Sequence, residues 1–384
     1  MLKKIFSHSL IYGLAPQIPK LATFVTLPFI TVYLTEIDFG VFGIIMAIIS
    51  GLSAISTLGL DVIIANVFYK HPNHFKQAWK QLYGFLILWN IVYSLIIAVS
   101  LFFLIPDEAI SNRSIIVILN VMPVLIFGPT AIFGQTYFQY KEKPLSIAYR
   151  SIFFGLTSII ISTILIIEYK MGYMGWLIAI SIATIGSNLS YWIPLNLQLK
   201  ITPIFIFKWR YIKNSLKVSL PVLPHYYSNY LLNSSDQIIM KFMSVQTNDV
   251  GRYNVSYMFG NVIQQIGIAC GKAISPMLYM HYKNKNEIGP RKIIFSLQSF
   301  FLLMTFSISI WLKELFSLLI KNESLSNMYI LAIIIIMSYS YRPMYLGANN
   351  RLFYIEKTKV LLKISLGAGL ANVLMNLIFI PIYG

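Results

Sequence analysis

The chain has 384 residues, of which 57% are hydrophobic and only 11% are charged, and its mean hydropathy is +0.70. A soluble domain cannot bury that much apolar surface in one core, so lipid must be the solvent of this chain. The single cysteine, Cys270, excludes internal disulfides and argues against a thiol-ligated metal site.

Long apolar runs along the chain predict eleven membrane spans. The runs are too long and too continuous for the strands of a membrane barrel, so we expect an all-α, polytopic membrane helix bundle. In chain order, the predicted spans are residues 7–34, 39–69, 82–105, 114–138, 145–167, 174–197, 217–243, 252–280, 293–320, 328–350 and 360–383.

The net charge of +17 is distributed unevenly between the two ends of the predicted spans. Most of the 30 Lys and Arg residues fall on the side of the N-terminus, and Arg150 is assigned to that side as a topology charge. By the positive-inside rule, this side, and with it the N-terminus, is cytoplasmic. The basic excess is therefore a topology signal, and nucleic acid is not an expected partner.

Two similar motifs divide the chain into two related halves. Residues 34–40 (LTEIDFG) enter the second span as residues 245–251 (VQTNDVG) enter the eighth. This offset predicts a six-helix half over 1–197, a basic cytoplasmic linker over 198–216 and a C-terminal half over 217–384, with pseudo-symmetry around a central cavity. A second half of six helices requires a twelfth span, so we expect the natural protein to continue beyond residue 384.

The seventh predicted span is unusually polar for a membrane helix. The residues that share or flank one of its faces at helical spacing are His225, Tyr226, Asn229, Tyr230, Asn233, Asp236 and Gln237. Hydrogen bonding between helices would explain one such residue. A run of this length instead favours a face that lines a hydrated cavity.

Lys20, Lys272 and Arg342 place three positive charges inside apolar segments. A cation at a helix centre costs about 2.5–3.5 kcal/mol, so such residues usually face a bundle interior or a wet cavity, which suits an anion. Lys20 and Arg342 lie near mid-span and are interpreted as substrate-binding residues; the alternative is a buried ion pair with Asp61 or Asp236. For Lys272, a binding role and snorkelling to the interface are equal alternatives.

Polar residues also recur on one face of the eighth and tenth predicted spans. Pro343 directly follows Arg342, so it removes a backbone donor and predicts a bend at that point. The residues of these two stripes are Tyr257, Asn261, Gln265 and Lys272 in the eighth span, and Ser338, Arg342, Tyr345 and Asn349 in the tenth.

Asp61 and Asp236 are the only carboxylates well within the predicted spans. Together with His225 they are candidates for a proton or sodium relay, and a counter-ion role is an equal alternative. His71 and His74 form an H-x-x-H pair in a basic loop without a third ligand, so we expect no metal site. Apart from H⁺ or Na⁺ coupling, no cofactor is expected.

A series of short motifs is spread along both halves of the chain. They are Pro28-Phe-Ile-Thr-Val-Tyr-Leu, Phe39-Gly40, Leu58-Gly-Leu-Asp61, Phe68-Tyr69, Ser215-Leu-Lys-Val-Ser-Leu-Pro221, Asn233-Ser-Ser-Asp236-Gln237, Asp249-Val-Gly251-Arg-Tyr253, the segment Asn372 to Asn376 and Ile380-Pro-Ile-Tyr-Gly384. Their order and spacing resemble those of the polysaccharide flippases of the multidrug/oligosaccharidyl-lipid/polysaccharide exporter (MOP) superfamily.

The resemblance implies a Wzx-type O-antigen or repeat-unit flippase with a MATE-like fold, which is a transporter and not an enzyme. Such proteins move undecaprenyl-pyrophosphate-linked oligosaccharide across the bacterial inner (cytoplasmic) membrane, which implies that location for this multi-pass chain. The expected partners are this lipid-linked oligosaccharide, membrane lipid, and the glycan polymerase and chain-length regulator of the same pathway. The family usually has at least twelve spans.

Together, the residues and the resemblance predict two sets of substrate contacts. Lys20, Arg342 and Lys272 are expected to bind the pyrophosphate. The glycan path is expected to be lined by Tyr226, Asn229, Tyr230, Asn233, Tyr345 and Asn261.

Three other functions are alternatives to a flippase of this type. A multidrug exporter of the same superfamily would favour mid-span carboxylates over cations. A lipid II flippase usually has fourteen spans, and a membrane glycan polymerase would need a large outer loop. The identity of the sugar, the coupling ion and the oligomeric state are not specified by the sequence.

Overall fold

The computed structural model describes residue 15 and residues 17–70, 73–206, 208–355 and 357–383. Within these ranges, the side chains at positions 20, 21, 69, 70, 229, 272, 276, 358 and 383 are outside the description. The described residues form helices joined by short connections, and no strand occurs among them. The fold is all-α, as the sequence predicts.

The helices before the basic loop are α1 (Gln17–Ile30), α2 (Glu36–Ser53), α3 (Asp61–Lys70), α4 (Phe75–Leu104), α5 (Arg113–Leu125), α6 (Thr130–Tyr140), α7 (Pro144–Ile167) and α8 (Tyr173–Trp192). Those after it are α9 (Trp209–Ser219), α10 (Leu223–Asn233), α11 (Ser235–Phe242), α12 (Thr247–Lys283), α13 (Ile288–Ile310), α14 (Leu312–Leu319), α15 (Glu323–Ser326), α16 (Tyr329–Ser338), α17 (Arg342–Tyr354) and α18 (Thr358–Tyr383). Short 3₁₀ helices cover Asp107–Asn112, Leu220–Val222 and Tyr339–Tyr341, and a π-helical turn covers Ile193–Gln198.

Over the residues that the structure describes, each predicted span coincides with one helix or with a short series of helices. In the part of the chain that is described, eight helical segments are long and apolar enough to cross a membrane: Glu36–Ser53, Phe75–Leu104, Asp107–Leu125, Pro144–Ile167, Tyr173–Gln198, Ile288–Ile310, Glu323–Tyr354 and Lys359–Ile382. The chain is therefore a membrane-embedded protein with several spans. The figure of eleven spans stays a prediction.

Several predicted spans are broken into shorter helices at defined residues. Leu58 and Gly59 have positive φ angles of 52° and 71° between α2 and α3, and Phe127 (φ 56°) separates α5 from α6. Ser234 leaves the helical region (φ −144°) between α10 and α11. These breaks divide the second, fourth and seventh predicted spans.

The start of α2 is specified by its own sequence. The Thr35 amide donates to Asp38 Oδ2 at 2.8 Å, and the Asp38 amide donates to Thr35 Oγ1 at 3.2 Å. This reciprocal pair satisfies two of the backbone donors that a helix leaves unpaired at its N-terminus. Part of the motif that predicts the repeat is therefore a helix start signal.

Packing groups the described residues into two compact units. The first unit comprises the described residues of Met1–Gly40 and Gln246–Ile364, so α1 and the start of α2 belong with α12–α17. Its core includes the Phe259 ring, which stacks on Phe316 with centroids 4.3 Å apart and meets Phe24 edge-on at 5.3 Å. Aromatic contacts therefore join α1, α12 and α14.

The second unit comprises the described residues of Val41–Val245 and Ser365–Gly384. Its core is centred on Trp79, which is fully buried, donates from its indole nitrogen to the Ile64 carbonyl at 3.0 Å and meets the Phe133 ring at 5.5 Å. The units are defined by packing, whereas the two predicted halves are defined by sequence repetition. The division into halves therefore stays a prediction.

Candidate functional site

Arg342 of the first unit opens α17, directly after the 3₁₀ turn at Tyr339–Tyr341. The turn lies where the sequence predicts a bend, because Pro343 cannot donate to a continuous helix. The guanidinium carbon lies 5.3 Å from the centroid of the Tyr345 ring. A Cβ at Gly267 would lie only 2.9 Å from Arg342 Cγ, so α12 approaches the arginine stem closely where it carries no side chain.

The Arg342 charge is not neutralised by the described residues of its own unit. Its Nε atom is buried and has no hydrogen-bond partner among the described residues, and no ion pair joins the guanidinium to any of them in this unit. A buried cation without a partner is costly, and inside a membrane-spanning segment it usually marks a substrate or ion pathway. The anion-binding role of Arg342 stays a prediction, and its buried Nε is a donor that a ligand could use.

Two amide side chains of the first unit carry a buried oxygen atom without a described partner. Gln298 of α13 donates from Nε2 to the Ser340 carbonyl at 2.8 Å, but its Oε1 is unpaired, as is Oδ1 of Asn349 in α17. Buried amide oxygens of this kind call for a donor from water or from a ligand. Gln298 is absent from the sequence-based set, although a lone glutamine within an apolar span is a recognisable signal.

A cavity of about 620 Å³ lies between α1 and α12 in the first unit. Asn261, a predicted glycan-path residue, lines it together with Gln17 and Gln265, and Gln17 Nε2 donates to Gln265 Oε1 at 3.5 Å. The remaining lining is apolar apart from Thr23 and Cys270. Two residues of the polar stripe in the eighth predicted span, Asn261 and Gln265, therefore line a cavity that is mainly apolar.

Asp61 and Tyr226 form a short contact in the second unit. The Tyr226 hydroxyl donates to Asp61 Oδ2 at 2.6 Å, and the Thr57 hydroxyl donates to Asp61 Oδ1 at 3.1 Å. Asp61 begins α3 and Tyr226 lies in α10, so this bond ties the two helices together. Asp61 is thus held by two hydroxyl groups within its own unit.

Three predicted glycan-path residues come together in the second unit. Tyr226, Tyr230 and Asn233 line a cavity of about 280 Å³ with Ser50, Ser53, Ala54 and Ser234. A Cβ at Gly51 of α2 would meet the Tyr230 ring at 2.8 Å, so this glycine leaves room for the tyrosine. The cavity lies beside the helix break at Ser234, and six of its seven lining residues carry a hydroxyl or amide group.

Asp236 lies at the start of α11, where two amides of α18 meet its carboxylate. Asn372 Nδ2 and Asn376 Nδ2 donate to Asp236 Oδ1 at 2.9 and 2.6 Å, and Asn372 also donates to the Leu231 carbonyl at 3.0 Å. The sequence-based set omits both asparagines, although their i, i+4 spacing places them on one face of α18. Asp236, Asn372 and Asn376 therefore form a polar cluster.

The other predicted site residues are distributed as follows. His225 is half-buried beside Tyr226, with ring centroids 6.4 Å apart. No group of three His, Cys, Asp or Glu side chains that could hold a metal ion occurs among the described residues. The side chains of Lys20, Asn229 and Lys272, and the whole of His71, lie outside the described residues.

Arg150 of the second unit has more partners than a topology charge requires. It is only 7% exposed, and its guanidinium donates to the Ser190 carbonyl at 3.2 Å and to the Ser146 carbonyl at 2.5 Å. Its guanidinium carbon lies 4.6 to 5.0 Å from the ring centroids of Phe138, Tyr149 and Tyr191. The sequence interpretation of Arg150 as a charge near a span end misses this aromatic enclosure.

The fold is shared with solved transporters. A mutant of the Vibrio cholerae MATE transporter VcmN has a TM-score of 0.62 at 16% identity, over 94% of this chain and 86% of its own. An inward-facing multidrug resistance MATE family transporter of the MOP superfamily has a TM-score of 0.60 at 14% identity, over 96% and 84%. The eukaryotic MATE transporter AtDTX14 has a TM-score of 0.52 at 12% identity, over 100% and 95%. At these identities the likeness establishes the fold alone.

Residues 1–280 match the family model described as Polysaccharide biosynthesis protein, and the chain belongs to this family. No curated protein matches the sequence. The comparisons thus give a polysaccharide biosynthesis family and a MATE-like fold.

Proposed function

We propose that this protein is a flippase that carries undecaprenyl-pyrophosphate-linked oligosaccharide across the bacterial cytoplasmic membrane by alternating access. The observation that carries the proposal is Arg342, a cation within the tenth predicted span whose buried Nε has no partner among the described residues. Membership in the polysaccharide biosynthesis family supports a glycan substrate, and the MATE-like fold supports transport.

The pyrophosphate is the proposed ligand of Arg342. A guanidinium presents its donors in a planar fork that matches phosphate oxygens, and charge-assisted hydrogen bonds of this kind are about twice as strong as neutral ones. The guanidinium carbon also lies 5.3 Å from the centroid of the Tyr345 ring, which is within the range of a cation–π contact. Lys20 and Lys272 are proposed as further pyrophosphate ligands on the basis of their positions in the sequence.

The glycan is proposed to contact two groups of residues. In the second unit, Tyr226, Tyr230 and Asn233 line a cavity whose hydroxyl and amide groups suit sugar hydroxyls. In the first unit, Asn261 and Tyr345 are exposed and can contact polar substrate. Asn229 completes the proposed set from the sequence.

Coupling to H⁺ or Na⁺ is proposed to involve Asp61, Asp236 and His225. Asp61 accepts a hydrogen bond from Tyr226, which is one of the proposed glycan contacts. Binding of H⁺ or Na⁺ to the carboxylate would therefore alter a residue that lines the glycan cavity. The membrane potential favours outward movement of an uncompensated anion by about 2.3 kcal/mol per charge per 100 mV. We also propose that the N-terminus lies in the cytoplasm. The proposed protein partners are the glycan polymerase and the chain-length regulator of the same pathway.

The test is a flipping assay in proteoliposomes with a fluorescent undecaprenyl-pyrophosphate oligosaccharide. Arg342→Gln removes the charge, and Arg342→Lys keeps it without the planar fork. Arg113→Gln is the matched control, since Arg113 also has a buried Nε without a described partner and lies 4.6 Å from the Phe102 ring, but stands at the start of α5.

We expect Arg342→Gln to abolish flipping, Arg342→Lys to retain a fraction of it, and Arg113→Gln to behave as the wild type. Full flipping by Arg342→Gln in normally inserted protein would refute the role of this residue. Transport of cationic dyes, with no movement of the labelled glycan lipid by the wild type, would instead favour the multidrug exporter.

A further inference from the structure

A second cavity lies in the first unit, at the end where α12 and α17 finish and α13 begins. Its volume is about 840 Å³, within the range of small-molecule sites. The residues with functional groups on its wall include Tyr282, Lys285, Glu287, Arg291, Arg351 and Tyr354. None of them belongs to the sites proposed above.

The charge of this cavity is strongly positive. Three cations, Lys285, Arg291 and Arg351, face a single carboxylate, Glu287. The ion pair between Arg351 and Glu287 is 3.4 Å long, and the two side chains are 62% and 82% exposed. An exposed pair of this kind contributes little to stability, so Arg351 is available to an incoming anion.

The position of the cavity relative to the membrane follows from two candidate membrane spans. One candidate span begins at Ile288 and another ends at Tyr354, and both of these residues line the cavity. The cavity therefore lies at the level of a membrane surface. By the distribution of Lys and Arg, this is the surface predicted to be cytoplasmic.

The lining combines the basic groups with apolar side chains that remain exposed. Ile288, Phe295 and Met344 are 67%, 50% and 44% exposed, and all three line the cavity. The Arg291 guanidinium carbon lies 5.6 Å from the Phe295 ring, so charge and apolar surface adjoin directly. A ligand that fits this lining has an anionic head and a hydrocarbon body.

We infer that this cavity binds the phosphate headgroup of an anionic phospholipid. Arg351, Arg291 and Lys285 provide charge-assisted donors to the phosphate, and Tyr282 and Tyr354 provide hydroxyl groups. Exposed Phe295 and Ile288 lie against the first part of the acyl chains. Basic pockets between membrane helices are known to suit such headgroups. The inference does not depend on the flippase proposal.

The test uses the full chain in nanodiscs of phosphatidylcholine with increasing fractions of phosphatidylglycerol, with retained lipids counted by native mass spectrometry. Arg291→Gln and Arg351→Gln are compared with Lys292→Gln, which removes a charge from the same turn of α13 without lining the cavity. We expect each of the first two to weaken phosphatidylglycerol binding about tenfold or more, whereas Lys292→Gln leaves it unchanged.

Equal retention of phosphatidylglycerol by Arg291→Gln, Arg351→Gln and wild type would overturn the inference. Competition by inorganic phosphate or pyrophosphate as strong as that by phosphatidylglycerol would assign the site to a soluble anion. A photoactivatable phosphatidylglycerol on the wild-type protein gives a readout that needs no variant. It should cross-link to peptides containing Tyr282 or Tyr354, and cross-links elsewhere only would contradict the site.

Discussion

Gly40 and Gly251 occupy equivalent positions in the two sequence motifs, and each lies against the backbone of the other motif. A Cβ at Gly40 would collide with the Thr247 carbonyl oxygen, and a Cβ at Gly251 would collide with the Glu36 carbonyl oxygen. At the offset of the repeat, Glu36 and Thr247 are themselves equivalent. This reciprocity is what two copies of a motif related by a pseudo-two-fold axis would produce.

We therefore expect Gly40→Ala and Gly251→Ala to destabilise the protein by about 1–3 kcal/mol each, because the added methyl group collides with backbone atoms that cannot move aside easily. The free energy of unfolding in detergent, from denaturant titration, measures the effect. Gly367→Ala in α18 is the control, since no atom lies within 4 Å of its Cβ position. Similar unfolding free energies of all three variants would show that the two motifs do not approach each other as closely as described here.

Tyr226→Phe removes the hydroxyl that donates to Asp61 at 2.6 Å. A hydrogen bond to a charged group contributes about 1.5–3 kcal/mol, so we expect a loss of that order in unfolding free energy. Tyr227→Phe should change it by less than about 0.5 kcal/mol, since the Tyr227 hydroxyl bonds to no described residue. The loss from Tyr226→Phe should shrink in an Asp61→Ala background, and an unchanged loss there would exclude this pairing.

Asn376→Leu removes a donor from the Asp236 carboxylate. We expect a cost of about 1–3 kcal/mol, because the carboxylate is left with one fewer partner, and a smaller cost when Asp236→Leu is already present. A double-mutant cycle should give a coupling energy of about 0.5–3 kcal/mol. Asn120→Leu is the control, since its amide bonds only to Ile116 of its own helix. If the losses in unfolding free energy caused by Asn376→Leu and Asp236→Leu are additive, the hydrogen bond between these two side chains is contradicted.

Arg150→Lys keeps the charge but loses the planar group that lies among three aromatic rings and donates to two carbonyls. We expect a loss of about 1–3 kcal/mol in unfolding free energy, because an ammonium reproduces neither the stacking nor the fork of donors. Arg210→Lys, at an exposed position of α9, should be close to neutral. Equal stabilities of the two variants would return Arg150 to the role of a topology charge.

The positions of the long membrane helices follow from the sequence because each of them lies in an apolar run, and the turn before Arg342 is signalled by Pro343. The break at Phe127 is signalled by the Gly128-Pro129 pair that follows it, whereas no glycine or proline adjoins the break at Ser234. Apolar pattern therefore predicts where helices lie better than where they are interrupted.

For the polar sites, the sequence likewise predicts the positions of residues better than their contacts. The face of the seventh predicted span is recognisable from its periodicity, and Tyr226, Tyr230 and Asn233 do line one cavity. The partners of Asp236, however, lie 136 and 140 residues away in sequence. No local pattern connects them to it. Gln298 and the enclosure of Arg150 likewise depend on contacts between helices that are distant in the chain.

The unpaired Nε of Arg342 has a thermodynamic consequence for the ligand-free protein. A desolvated donor with no acceptor raises the free energy of the folded state, and an anion that supplies the acceptor relieves this penalty. By mass action, ligand that binds only the folded form raises the melting temperature in a concentration-dependent way. Heat resistance of the purified protein should thus rise with pyrophosphate-bearing lipid, and Arg342→Gln should lose most of that gain.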